Sequence, residues 1–306
     1  MASEPSVAAE AAKVLDKGAP LAERMRAVFH LRTAGGPVAV ETLASAVEDM
    51  EGSCLFRHEV AFVLGQMGDA AAVPCLTRIL ENVEDDAIVR HECAEALGAI
   101  AQPESLDVLK KFMEDPAKEV SETCAIAVQR MTASGPEAKA PESSPFDTVD
   151  PAPAEEGAKS VAELREALLD EEAPLFARYK AMFALRNDGS DEAVLALCDG
   201  LQDTSSALFR HEVAYVLGQL ERGLAADALT ACLLRGAEHA MVRHEAAEAL
   251  GAIGTPAVMA VLKEHLQDKD QVVRESCEVA LDAAAYWADV AAASGDPDAP
   301  TETAQA

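Results

Sequence analysis

A chain of 306 residues with 54 acidic against 25 basic side chains carries a formal net charge of −29. That balance excludes a protein that grips phosphate backbones or anionic lipid, since both need Lys/Arg clusters, and it favours cationic partners. The cysteines are seven, an odd number with no C-x-x-C pair, which excludes a zinc ribbon or a disulfide framework and fits a reducing cytoplasm. The N-terminus reads as no signal peptide, and no run of about 18 apolar residues spans a membrane.

Half the residues are apolar, with Ala and Leu prominent, the composition of many short packed helices. In chain order, helical units centre on RMRAVFHL from Arg24, LFRHEVAFVLGQ from Leu55, VRHECAEALG from Val89 and VSETCAIAV from Val120. A Pro/Ala/Glu/Ser-rich stretch over 132–160 then forbids a helix and predicts an extended linker. Four units follow: RYKAMFAL from Arg178, LFRHEVAYVLGQ from Leu208, VRHEAAEALG from Val242 and VRESCEVAL from Val273. The segment from Leu15 recurs from Leu169, and that from Leu55 from Leu208, so the chain is a tandem duplication with offsets of 154 and 153 residues.

Within each half the period is 33 residues, from His58 to His91 and from His211 to His244. Such a period with helical patterning predicts an all-α, HEAT-like solenoid of eight helix pairs. The expected organisation is an N-terminal half over 1–131, the linker over 132–160, a C-terminal half over 161–290 and a disordered tail over 291–306. The linker is long enough for two pseudo-symmetric halves of four pairs to face each other.

Four of the seven histidines sit in the motif R-H-E-x-A-x-x-L-G: His58, His91, His211 and His244, followed by Glu59, Glu92, Glu212 and Glu245. A lone His-Glu on a helix is ordinarily a solvated pair. Here the dipeptide is confined to the central units; the outer ones carry Met25-Arg26, Glu122-Thr123, Tyr179-Lys180 and Glu275-Ser276. A packing requirement would recur in every unit, whereas a shared site would occupy only central ones. At 100° per residue the motif lets His and Glu face a concave surface while Ala and Leu bury. Imidazole and carboxylate without thiolate suit iron and similar metals, two of them with open positions for dioxygen.

These motifs, with ALRN from Ala184, ESCEVALD from Glu275 and the stretch Thr148–Pro153, resemble deoxyhypusine hydroxylase over about residues 7–285. The resemblance implies a di-iron monooxygenase, active as Fe2+, that takes O2 and an external reductant. Its implied substrate is the deoxyhypusine side chain of a eukaryotic translation initiation factor. It implies no nucleic-acid or membrane partner. Carried over by motif, iron ligands fall on His58, His91, His211 and His244 with Glu59 and Glu212. Glu92 and Glu245 match the remaining positions, binding either iron or the substrate's amines.

Two further expectations come from helical register. Glu95 and Glu248, four residues after a His, stand between imidazole and carboxylate in angle and could orient His91 and His244. Gly65, Gly98, Gly218 and Gly251 follow each His by seven residues. Gly65 and Gly218 could admit a substrate alkylamine close to the backbone, while Gly98 and Gly251 read as C-terminal caps. Trp287, Tyr179 and Tyr286 read as packing residues, and His30, His239 and His265 receive no role. The rival function is a metal-free acidic HEAT scaffold that binds basic proteins. It accounts for the charge but not for the central restriction of His-Glu.

Overall fold

The computed structural model describes residues 6–133 and 144–294, and among them every regular element is helical. Eight helices precede the linker: α1 (Val7–Leu15), α2 (Leu21–Ala34), α3 (Pro37–Val47), α4 (Cys54–Met67), α5 (Val73–Glu81), α6 (Ala87–Ile100), α7 (Ser105–Phe112) and α8 (Lys118–Thr132). Eight follow it: α9 (Val161–Leu169), α10 (Leu175–Asp188), α11 (Asp191–Gly200), α12 (Ala207–Leu220), α13 (Ala226–Leu234), α14 (Ala240–Ile253), α15 (Pro256–Glu264) and α16 (Gln271–Ser294). Residues 6–133 with Thr148–Pro151 make one compact unit; 144–147 and 152–294 make the second.

Each unit is four helix pairs. The even-numbered helices stack on one another in a single layer, α2–α4–α6–α8 in one unit and α10–α12–α14–α16 in the other. Their start signals are local: Ser53 accepts from Phe56 N, Asp86 from Ile88 N and Ser206 from Phe209 N. Their close approach depends on absent side chains. A Cβ on Gly65 would lie 2.9 Å from Ala96 Cβ, one on Gly98 2.7 Å from Ala127 Cβ, and one on Gly251 2.6 Å from Ala280 Cβ. Gly98 and Gly251 are therefore helix-interior contacts rather than caps; the left-handed C-caps are Ala101 and Gly254. Beside Gly65 the space is filled by the Ala96 backbone and methyl, with no room there for an alkylamine.

Pairs are bolted together by arginines. Arg24, Arg57, Arg90, Arg178 and Arg243 each donate to a carbonyl ten residues back, at the end of the preceding odd helix: Val14, Val47, Leu80, Leu168 and Leu233. Four of these also reach forward to an acid in the next pair. Arg57 clasps Asp85 with two bonds of 2.6 Å, Arg90 meets Asp115, Arg178 meets Asp203 at 2.6 Å, and Arg243 meets Asp268. Arg210 binds Glu238 in the same manner. Each arginine thus satisfies helix-terminal carbonyls and pins the following pair by charge-assisted bonds.

The linker begins later than expected, since Thr132 closes α8, and its described part is docked rather than free. Gln66 on α4 accepts from Val149 N at 2.8 Å and donates to Val149 O at 3.3 Å, while Arg130 on α8 donates to Asp150 O at 2.9 Å. In the second unit Phe146 lies under the Arg186 guanidinium and Glu155 pairs with Lys180. The C-terminal helix continues to Ser294, past the expected boundary at 291; the remainder of the expected tail lies outside the described residues.

Candidate metal centre

All eight motif residues stand early in the helices that form the middle of each inner layer, and none is more than 8 % exposed. All eight are therefore buried side chains. In the first unit α4 supplies His58 and Glu59 and α6 supplies His91 and Glu92. The two imidazole centroids are 5.4 Å apart, and His58 Nε2 is 3.2 Å from Glu92 Oε2. The second unit repeats the arrangement on α12 and α14. Its imidazoles are 5.3 Å apart, and His211 Nε2 is 3.4 Å from Glu245 Oε2. The Gly65–Ala96 contact lets the motif helices of the first unit come this close.

The four glutamates are not equivalent. His58, His91 and Glu92 each place a donor atom within 4.8 Å of the others, as do His244, Glu245 and Glu248. The carboxylate that meets a histidine Nε2 comes from the next helix in both units. Glu59 instead meets its own neighbour at the opposite ring nitrogen, 3.0 Å from His58 Nδ1. Glu212 holds the same register on α12 and is buried. The geometry therefore groups Glu92 and Glu245 with the imidazole Nε2 atoms, where motif carry-over had put Glu59 and Glu212.

The electrostatics favour a cation. Burial works against a charged imidazole at His58, but Glu92 and Glu59 outweigh it and hold its pKa well above the ordinary value. Glu95, half-buried beside Glu92, is pushed well above the usual carboxylate range by burial and by that neighbour; His58 and Arg130 act against the rise. Burial also raises the Cys93 thiol far up, and the donor groups that come together are all His and Glu. Buried imidazoles and carboxylates with negative charge to spare fit a divalent transition metal, and iron is among the metals this set suits.

Of the register-based candidates, Glu248 Oε1 is 3.6 Å from His244 Nδ1 and accepts from Ser276 Oγ at 2.9 Å. Glu95 is flanked by Glu92, His58, Asp150 and Arg130. Gly218 is buried within α12. His30 lies 3.5 Å from the buried Glu10, His239 caps α14 by accepting from Met241 N, and His265 Nδ1 donates to Val261 O. Tyr179 is core; Trp287 is half-buried and packs edge-on against Tyr286, which is 36 % exposed.

Sequence reasoning passed over the arginines and their acids, although Arg precedes every motif histidine and an acid recurs 25 or 28 residues later. It also gave no role to Gln66 and Gln219, which the duplication preserves. Gln66 holds the linker backbone, and Gln219 accepts from Arg186 and donates to Tyr215 Oη.

Comparison with known proteins places this geometry in context. A HEAT-repeat family model matches residues 40–129 and 225–282. Deoxyhypusine hydroxylase of Homo sapiens is 51 % identical over 92 % of both chains, and that of Drosophila melanogaster 46 % identical over 94 % of both. The solved structure of human deoxyhypusine hydroxylase in complex with glycerol superposes with a TM-score of 0.87 at 52 % identity, covering 91 % of this chain and 96 % of that one.

Proposed function

The chain belongs to the deoxyhypusine hydroxylase family, and from that premise we propose that it is a di-iron monooxygenase acting on the deoxyhypusine side chain of a translation initiation factor, forming hypusine. The observation that carries the reading is the Nε2-to-carboxylate pairing across neighbouring helices, made twice: His58 with Glu92 and His211 with Glu245. On this reading the metal ligands are His58, His91 and Glu92 in one unit and His211, His244 and Glu245 in the other, for two irons per chain. A bound iron pair, ferrous when active, supplies the dioxygen chemistry that no side chain can perform. One oxygen atom enters a C–H bond and the other leaves as water, with two electrons from an external reductant.

The chain's own residues have separate tasks. Glu59 accepts the His58 Nδ1 proton, which fixes the tautomer and leaves Nε2 available for a metal. Glu59 and Glu212, the carboxylates outside the ligand set, bind the substrate's cationic amines by charge-assisted hydrogen bonds. Burial of all eight groups keeps water from competing for those amines and strengthens each contact. The net charge of −29 draws a basic segment of the protein substrate toward the site. Seven free thiols support a reducing compartment, the cytoplasm, and no helix among the described residues is long and apolar enough to cross a membrane.

Metal analysis of protein purified without oxygen tests this reading: about two irons per chain are expected. Protein that takes up no iron on reconstitution would instead favour the metal-free acidic scaffold.

A further inference from the structure

The two units copy one another in fold, but the glutamate one turn after the second motif histidine meets different partners in each. In the first unit Glu95, one turn after His91, lies among Glu92, His58, Asp150 and Arg130. In the second unit a carboxylate lies beside His244 Nδ1 at 3.6 Å, and it is Glu248, one turn on. Glu248 is itself tethered: its Oε1 accepts from Ser276 Oγ at 2.9 Å, and Ser276 is fully buried on α16. The corresponding residue on α8 is Thr123, whose hydroxyl donates to its own helix at Glu119 O, 2.8 Å away. One half therefore anchors a carboxylate through a hydroxyl on its last inner helix, and the other spends that hydroxyl within the helix.

We propose that Ser276 and Glu248 are positioning residues for His244: the Ser276 hydroxyl fixes the Glu248 carboxylate, which holds the His244 ring as its Nδ1–H tautomer with Nε2 directed to the metal. The inference rests on the di-iron reading for its consequence but not for its geometry. An acceptor at Nδ1 selects the tautomer and raises the basicity of the opposite nitrogen, so it acts with or without metal bound. The hydroxyl contributes by removing the carboxylate's rotational freedom, and a bond to a charged acceptor is of the stronger kind. Because the chain has a Thr where Ser276 would recur in the first half, the device belongs to the C-terminal half, and the two metal equivalents are held unequally.

The first test uses the metal-free full chain. Nitrogen-15 NMR of the imidazole side chains should find His244 with a protonated Nδ1 and an unprotonated Nε2, and Ser276→Ala should mix the tautomers while helicity is unchanged. A His244 with Nδ1 unprotonated in the native chain would overturn the inference. The second test follows ferrous iron leaving the reconstituted native protein to a chelator under anaerobic conditions. Glu248→Gln should weaken one of two equivalents about 10–100-fold and leave the other unchanged. Ser276→Ala should accelerate release of the same equivalent by a smaller factor. Equal loss of both equivalents, or loss of neither, contradicts the proposal. If the native chain binds no iron, the di-iron reading fails, and the tautomer measurement still decides the role of Glu248 and Ser276. Should Ser276→Ala fail to fold, Glu248→Gln and the native spectrum carry the decision.

Discussion

In α2 and α4 an arginine at the same register, Arg24 or Arg57, donates to a carbonyl ten residues back, yet the next two residues are Met25-Arg26 in one helix and His58-Glu59 in the other. The same contrast separates α8 from α6, where Thr123 spends its hydroxyl on its own helix at the position Glu92 holds. Terminal and central pairs thus share what the solenoid needs and differ in what it does not need. Burying an imidazole–carboxylate cluster costs stability unless something compensates it. Among the described residues, paired buried imidazoles with buried carboxylates occur in the four central helices. The difference separates scaffold residues from site residues without reference to any relative.

Substitutions can break that separation. The largest effect is expected at the scaffold. Arg57→Ala leaves Asp85 buried without its cation and should cost about 3–5 kcal/mol, read from the urea midpoint of the metal-free chain. Arg24→Ala, in the terminal pair, should cost less, because both of these guanidinium bonds go to the one Val14 carbonyl and leave no buried carboxylate behind. Equal losses would show that the forward clasp adds nothing. At the site, Glu92→Gln should lower iron affinity by about 100-fold or more, roughly 2.7 kcal/mol, with the urea midpoint of the metal-free chain unchanged or raised. Glu59→Gln should retain iron better than Glu92→Gln, and the reverse order would restore Glu59 as the ligand.

Smaller changes sharpen the same contrast. Gly98→Ala drives a methyl into Ala127 and should cost about 1–3 kcal/mol through overpacking, measured by the same unfolding curve. Acid should loosen terminal and central pairs alike. Burial pushes the carboxyls of Asp115, Asp203 and Glu238 up, but bonds from Arg90, Arg178 and Arg210 outweigh it and hold them below the ordinary value. At Asp268 the Arg243 bond dominates, with the same outcome. A depressed folded pKa means the stabilisation is complete above the unfolded value, about 3.9 for Asp and 4.3 for Glu, and is lost as pH falls through the folded values. The urea midpoint should therefore fall with pH below about 4, and Asp268→Asn should reduce that fall by one group's share.

Much of the architecture was legible because duplication writes it twice. The 33-residue period led to eight pairs, and the restriction of His-Glu to four helices singled out eight residues that prove buried. What the sequence concealed was direction. Helical register put Glu59 and Glu92 in equivalent places, and only the stacking of α4 against α6 reveals that one faces Nδ1 of its neighbour and the other Nε2 across the gap. The glycines misled for a similar reason. Seven residues after a His, near a helix end, Gly98 looks like a cap, but the helix continues beyond it and the missing methyl admits Ala127. The docking of Val149 and Asp150 depends on Gln66 and Arg130, which are distant in sequence, so the linker's Pro-rich composition could report only that it is not helical.

The most direct test of the whole account is a single turnover of the iron-loaded chain on its deoxyhypusine-bearing protein substrate, with a reductant, under isotopically labelled dioxygen. The account predicts that mass spectrometry of the modified residue finds one labelled oxygen atom with the native chain and none with Glu92→Gln. An unmodified side chain, or an oxygen drawn from water, would contradict it.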